Sequence, residues 1–206
     1  MGWAAATFDF HIPSLVTKYQ IDSLHMSPPP DTLKSERLEL RRARPEHGAD
    51  LFAVANDPDV MHFMDWPRPN DPAQTIAHLE IVYSAWDLGK EYQWLVYLRE
   101  GQSPVGTISC RPQGHMADFG YFFGASHWGK GYATEAGKIV LGWLQNCDEI
   151  YRVCATTDAE NTRSRCVLEK LGLELEGVLK MATVRPNIGP IPRDTAIYGW
   201  VRESRG

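Results

Sequence analysis

The 206-residue chain is 43% hydrophobic and 23% charged, the balance of an ordinary globular domain. That excludes a disordered tail, a collagen-like rod and a disulfide-dense miniprotein, and no apolar run approaches the roughly 18–20 residues a membrane span needs. With 21 Lys and Arg against 26 Asp and Glu, the net charge is −5, the wrong sign for a dedicated nucleic-acid binder.

Residues 1–30 lack the basic start and unbroken apolar stretch of a secretory signal. Pro28-Pro29-Pro30 stiffens the chain just before the domain. We read 1–30 as an N-terminal extension and 31–206 as one domain. The extension suits an arm laid on a partner subunit, which makes a homodimer a candidate assembly. Met26 fits a translational start as well as Met1.

Leu38 and Leu40 alternate with charged neighbours in Arg37–Arg42 and predict a half-buried strand. Pro45 opens a short helix whose stripe is Leu51, Phe52 and Ala55, ending before Asp57-Pro58. Asp71-Pro72 caps a second helix with Ile76, Leu79, Tyr83 and Trp86 on one side. Strands follow at Gln93–Leu98, Val105–Cys110 and Phe119–Phe123. Ala136, Ile139, Val140, Trp143 and Leu144 have the spacing of a core-facing helix. After a strand at Arg152–Thr157, Asn161 caps a helix that Gly172 closes, and two strands near 174–183 and 193–202 complete the chain. Seven strands and four helices in this order predict an α/β domain with a mixed sheet.

Cys110, Cys147, Cys154 and Cys166 show neither C-x-x-C nor zinc spacing, and the seven histidines are scattered singly. No metal site is expected, and the thiols fit a reduced, cytoplasmic protein.

Gly124-Ala-Ser-His-Trp-Gly129-Lys130 fails the nucleotide P-loop pattern at its last position, where Gly131 replaces the metal-binding hydroxyl. Trp128-Gly129-Lys130-Gly131-Tyr132-Ala133-Thr134-Glu135 is better read as a strand-to-helix turn. Its glycines admit a close ligand, and its unpaired N–H groups at the positive end of a helix suit a diphosphate. A plain glycine-rich loop with no ligand has the same composition.

This turn resembles motif A of the GCN5-related N-acetyltransferases, Q/R-x-x-G-x-G/A, in the form found among enzymes that modify ribosomal-protein N-termini. Trp128 stands at the Q/R place, Gly131 at the glycine and Ala133 at the G/A; the tryptophan removes one polar phosphate contact. Asn161-Thr-Arg-Ser164-Arg-Cys-Val-Leu168-Glu-Lys-Leu-Gly172 resembles the family's N-x-x-S-x-x-[VL]-x-x-x-G segment. The resemblance spans roughly 33–203.

It implies a mostly antiparallel sheet whose strands before the turn and at 152–157 splay into a V, with acetyl-CoA as co-substrate. The carrier's arm would enter the V and pair with backbone of Phe122 and Phe123, one N–H polarising the thioester carbonyl. Residues 129–134 would bind the diphosphate, with Lys130 the favoured basic contact. Asn161 would hold the arm and Ser164 would reprotonate the departing thiol; both also serve as helix-capping residues. Asp118 is the candidate general base, though a solvated turn residue has the same signature. Asp65 and Trp66, between the first two helices, would select the amine, and Trp66 equally fits a hydrophobic plug. The implied activity is acetylation of a primary amine, a protein or peptide α-amine first, by direct attack in a ternary complex. Alternatives are a small-molecule amine or antibiotic acetyltransferase, or a non-catalytic CoA-binding sensor.

Overall fold

Strand alternation and turn chemistry produce a single eight-stranded sheet in a computed structural model that describes residues 26–203. The strands are β1 (Thr32–Lys34), β2 (Leu38–Arg42), β3 (Tyr92–Leu98), β4 (Pro104–Gln113), β5 (Met116–Phe123), β6 (Arg152–Asp158), β7 (Glu174–Val184) and β8 (Pro192–Val201). The helices are α1 (Gly48–Ala55), α2 (Pro58–Met61), α3 (Pro72–Asp87), α4 (Tyr132–Asn146) and α5 (Thr162–Lys170). The sheet order is β1-β2-β3-β4-β5-β6-β8-β7, and every neighbouring pair is antiparallel except β5 with β6.

One strand and one helix exceed the sequence expectation. β1 lies in the stretch after Pro28-Pro29-Pro30, where three residues pair with β2. Pro29 is buried, and Pro30 O accepts the Trp94 indole N–H at 3.3 Å. This end of the expected extension therefore packs on the domain; residues 1–25 of it lie outside the described residues. α2 begins with Asp57-Pro58, the same cap-and-proline pair that opens α3. Asp57 accepts the Asp59 N–H at 2.9 Å, as Asp71 accepts that of Ala73 at 2.8 Å.

The buried stripe of α3 is Thr75, Leu79, Val82 and Trp86, not Ile76 and Tyr83. Ile76 is 36% exposed, whereas Thr75 is buried because its hydroxyl donates to Gly48 O and Pro72 O, each at 2.8 Å. A satisfied hydroxyl can occupy a core position that hydrophobicity alone would assign to its neighbour.

α4 and α5 cover one face of the sheet. Ala136, Val140, Leu141 and Leu144 of α4 and Leu168 of α5 join Ala117, Phe119 and Phe123 in the main core. Trp86, Tyr92, Trp94 and Trp143 close one end of it with edge-to-face contacts, the Trp86–Tyr92 and Trp86–Trp94 centroids 5.0 Å apart. On the opposite face Leu51 of α1 and Leu79 of α3 pack on Leu95 and Tyr97, with the Phe122 ring against this group. Residues 119–123 of β5 thus send rings to both faces.

β7 is an edge strand with mostly exposed residues, and its register against β8 slips twice, between Leu175 and Gly177 and between Leu179 and Thr183. Met181, in the second slip, has φ +49°.

β4 and β5 approach closely at Gly106, where a Cβ would lie 2.5 Å from Phe122 O and 2.7 Å from the Phe123 ring. Gly106→Ala is expected to destabilise the fold by about 1–3 kcal/mol, the usual range for overpacking. A fall in the urea midpoint at unchanged slope is the expected reading; an unchanged midpoint contradicts it.

Candidate active site

β5 and β6 are joined by three rungs only, Met116 to Arg152, Ala117 to Val153 and Asp118 to Cys154. Beyond them β5 stays paired to β4 and β6 stays paired to β8, so the two strands part. The Gly124 N–H bonds Val105 O at 2.9 Å, which sets the alternation along β5. Phe122, paired with Thr107, turns its backbone groups to β4. Those of Phe119, Tyr121 and Phe123 face the gap. The Phe123 N–H therefore faces the gap, its carbonyl accepting the Trp128 indole, and on this register Tyr121 rather than Phe122 accompanies it.

The open end of β5 runs through Gly124 and a 3-10 turn, Ala125–His127, to Trp128. The Trp128 indole N–H donates to Phe123 O at 2.7 Å and fixes where the turn leaves the strand. The Arg163 guanidinium lies over its ring, 4.7 Å from the centroid. Gly131 has φ +79°, the left-handed region that glycine enters without strain, and it precedes α4 with no side-chain cap. The first intrahelical bond is Glu135 N–H to Gly131 O, so the N–H groups of Tyr132, Ala133 and Thr134 have no acceptor within the helix. Gly129 and Lys130 are exposed beside them.

The turn is braced from behind by Arg37, which the sequence reading left on β2. Arg37 Nη1 donates to Lys130 O at 3.0 Å, and its Nε and Nη2 reach Glu135 Oε2 at 2.7 and 2.6 Å. Ser35 Oγ and the Arg37 N–H also bond Glu135 Oε1, at 2.7 and 3.0 Å. Burial alone would raise the Glu135 pKa, but these donors outweigh it and hold the carboxyl below its usual range.

Across the gap, Asn161 Oδ1 accepts the Ser164 N–H at 3.1 Å and so caps α5. Ser164 Oγ lies 3.1 Å from Tyr121 Oη, which also donates within reach of Ser164 O at 3.2 Å. Burial pushes the Tyr121 phenol well above its usual range, so it stays neutral. Asn161 is thus the cap of α5, whereas Ser164 supplies the capped N–H and turns its hydroxyl to Tyr121.

Asp118 sits on the last paired rung. It bonds Arg111, Nη2 to Oδ2 at 3.0 Å, and Arg111 also holds Glu91 at 3.0 Å. Burial raises the Asp118 pKa and Arg111 pulls it partway back. At about 3.3 Å per residue, Asp118 lies about 10 Å along the strand from Tyr121.

Asp65 and Trp66 lie in the loop between α2 and α3, just after Met64, which packs on the same Ala55–Val60–Met61 cluster as Trp128. Trp66 is 39% exposed. This loop is clasped to the β7–β8 loop by Asn187, whose Nδ2 donates to Met61 O at 2.7 Å and Trp66 O at 2.9 Å while Oδ1 accepts the Arg68 N–H at 2.8 Å. Asp158, at the open end of β6, is buried and accepts from Arg193 Nε at 2.6 Å, Arg193 Nη2 at 3.2 Å and the Glu160 N–H at 2.9 Å. Asn187, Arg185 and the Asp158–Arg193 pair have no local sequence signature, because each looks like loop or surface polarity until the hairpin folds back.

An acetyltransferase (GNAT) domain profile matches residues 37–174. The chain belongs to the GNAT acetyltransferase family. It is an N-acetyltransferase with acetyl-CoA as its acyl donor, and the uncapped turn beside the parted strands fits that carrier's diphosphate and arm. An uncharacterized N-acetyltransferase, p20, of Bacillus licheniformis is 28% identical over 153 residues, covering 73% of this chain and 86% of the relative. The microcin C7 self-immunity acetyltransferase MccE, solved with acetyl-CoA and AMP, shares the fold with a TM-score of 0.76 at 22% identity, over 85% of this chain and 99% of that one. RimL, a ribosomal L7/L12 α-N-protein acetyltransferase solved with coenzyme A, superposes with a TM-score of 0.75 at 20% identity, over 82% and 97%.

Removing the brace should loosen the turn without touching the carrier. Arg37→Ala is expected to weaken acetyl-CoA binding about tenfold, from loss of charge-assisted hydrogen bonds. Calorimetric titration checks it, and an unchanged affinity contradicts it.

Proposed function

We propose that this enzyme acetylates the α-amine of a peptide or protein by direct attack within a ternary complex. The observation that carries the reading is the tethering of Asp118 by Arg111. A strong base would be needed for lysine, whose deprotonation at pH 7 costs roughly 4.6 kcal/mol, but an α-amine costs only about 1 kcal/mol. A shared carboxylate acting through water suffices for the second and not the first. The α-N-protein acetyltransferase among the fold neighbours supports the same acceptor class. The four free cysteines support the expectation of a reducing, cytoplasmic setting.

In this reading the N–H groups of residues 129–134 receive the diphosphate, with Lys130 beside them. The gap-facing backbone of Tyr121 and Phe123 aligns the arm, and the Tyr121 N–H polarises the thioester carbonyl. Acetyl-CoA, when bound, supplies an activated acyl group. Asn161 holds the arm near α5. When Tyr121 turns its one hydroxyl proton to Ser164 Oγ instead of Ser164 O, the Ser164 proton is free to pass to the departing sulfur and be replaced from solvent. A thiol leaving group with a pKa near ~8.5 needs little more. Asp118, about 10 Å along the strand from Tyr121, takes the amine's proton through a chain of waters. Asp65 and Trp66 lie where the acceptor enters.

Two measurements test this. At pH 7, a peptide with a free α-amine should have a kcat/KM at least about a hundredfold above that of an N-blocked peptide presenting only lysine. Raising the pH to 9 should narrow that ratio about tenfold, because the lysine free base rises about a hundredfold while the α-amine saturates after a rise of under about tenfold. Equal rates at pH 7 would overturn the α-amine reading. Ser164→Ala should lower kcat about tenfold while the acetyl-CoA dissociation constant stays unchanged; an equal loss in both would make Ser164 a binding residue only.

A further inference from the structure

Arg185, just past β7, is 4% exposed, yet its nearest carboxylate oxygens are too far for hydrogen bonds. Asp158 Oδ2 is 3.8 Å from Nε, and Asp65 Oδ2 is 3.9 Å from Nη1. The buried Nε has no hydrogen-bond partner. Arg42 also has a buried unmatched Nε, but its Nη2 donates to Tyr83 O at 3.3 Å and Asp87 Oδ1 at 2.8 Å. Asp158 is already engaged by Arg193 and the Glu160 amide.

A buried guanidinium is ordinarily paired and hydrogen-bonded. Two residues on, the Asn187 clasp holds this loop against the α2–α3 loop and keeps Arg185 between Asp65 and the open end of β6. Burial pulls the Arg185 pKa down, with Asp65 and Asp158 acting the other way. Its planar fork of donors matches a carboxylate or phosphate. Asp65 sets the complementary charge 3.9 Å away and is itself the partly exposed member of the pair.

We infer that Arg185 binds an anionic group, carboxylate or phosphate, carried by the acceptor next to its amine, with the ammonium directed to Asp65. This rests on the acceptor entering between the two clasped loops, as in the function proposed above.

The test is equilibrium titration of the CoA-loaded protein with matched probes, alongside initial rates with acetyl-CoA. The probes are tripeptide amides with aspartate or asparagine at the first or second residue, and O-phosphoethanolamine against ethanolamine. At least tenfold tighter binding of an acidic member over its neutral partner is expected, and the pair showing it identifies carboxylate or phosphate as the source. In Arg185→Gln that ratio should fall to near one while acetyl-CoA affinity is unchanged. Arg185→Lys, which keeps the charge without the fork, should retain part of it and carries the test if the glutamine variant does not fold. Equal binding of acidic and neutral members by the native protein overturns the inference, as does a ratio that survives in both variants. Because binding is read without turnover, a preference seen with no acetylation upholds Arg185 and counts only against the proposed α-amine transfer.

Discussion

Everything in this molecule follows from the short pairing between β5 and β6. Three rungs hold the strands together at one end, and beyond Asp118 and Cys154 each strand has a partner on its outer side only. A backbone edge inside a sheet demands hydrogen bonds, so an unpaired stretch in the middle of one is a ready place for an extended ligand. The parting is sustained by what lies outside it: β4 holds β5, β8 holds β6, and α4 and α5 fill the face between them. The gap is therefore a property of the frame and needs no mobile segment to open it.

Around this gap the charges divide the labour. At the turn, Arg37 is spent on Glu135 and the Lys130 carbonyl, which leaves the helix amides to meet an anion with no side-chain cation locked among them. At the paired end, Asp118 and Glu91 share Arg111, while at the open end of β6 Asp65, Arg185, Asp158 and Arg193 form a charge-balanced group in which the geometry is uneven. Arg193 is closely bonded and Arg185 is not.

The donor half was legible because it is local. Trp128–Glu135 and Asn161–Gly172 are contiguous runs whose glycine turn, cap and spacing report their own geometry. The acceptor half is built by contacts between residues far apart in the chain, so Asp158, Arg185 and Asn187 carry no local signature. Strand phase was legible only where one face is polar. In Phe119–Phe123 rings point to both faces, and the pairing of Phe122 with Thr107 determines which backbone groups are open. The α3 stripe slipped by one residue at Thr75 because a buried, doubly bonded hydroxyl reads as surface in a hydrophobicity pattern. Asp57-Pro58 carried the same opening signal as Asp71-Pro72, and was passed over because a four-residue helix is too short to show a period.

The clasp at Asn187 has a consequence for how the protein is assembled. Its bond to Met61 O spans 126 residues of sequence, whereas the glycine turn and α5 cap close over a few residues each. Long-range closures are slow relative to local ones. The local closures at the glycine turn and the α5 cap can thus form before the loop between β7 and β8 docks, and only that docking joins Arg185 and Asn187 to the α2–α3 loop. If Arg185 selects the acceptor as proposed, that choice resides in the loop between β7 and β8. On that reading, an exchange of the β7–β8 loop alone would carry the choice with it, because β8 would still hold β6 beside the gap.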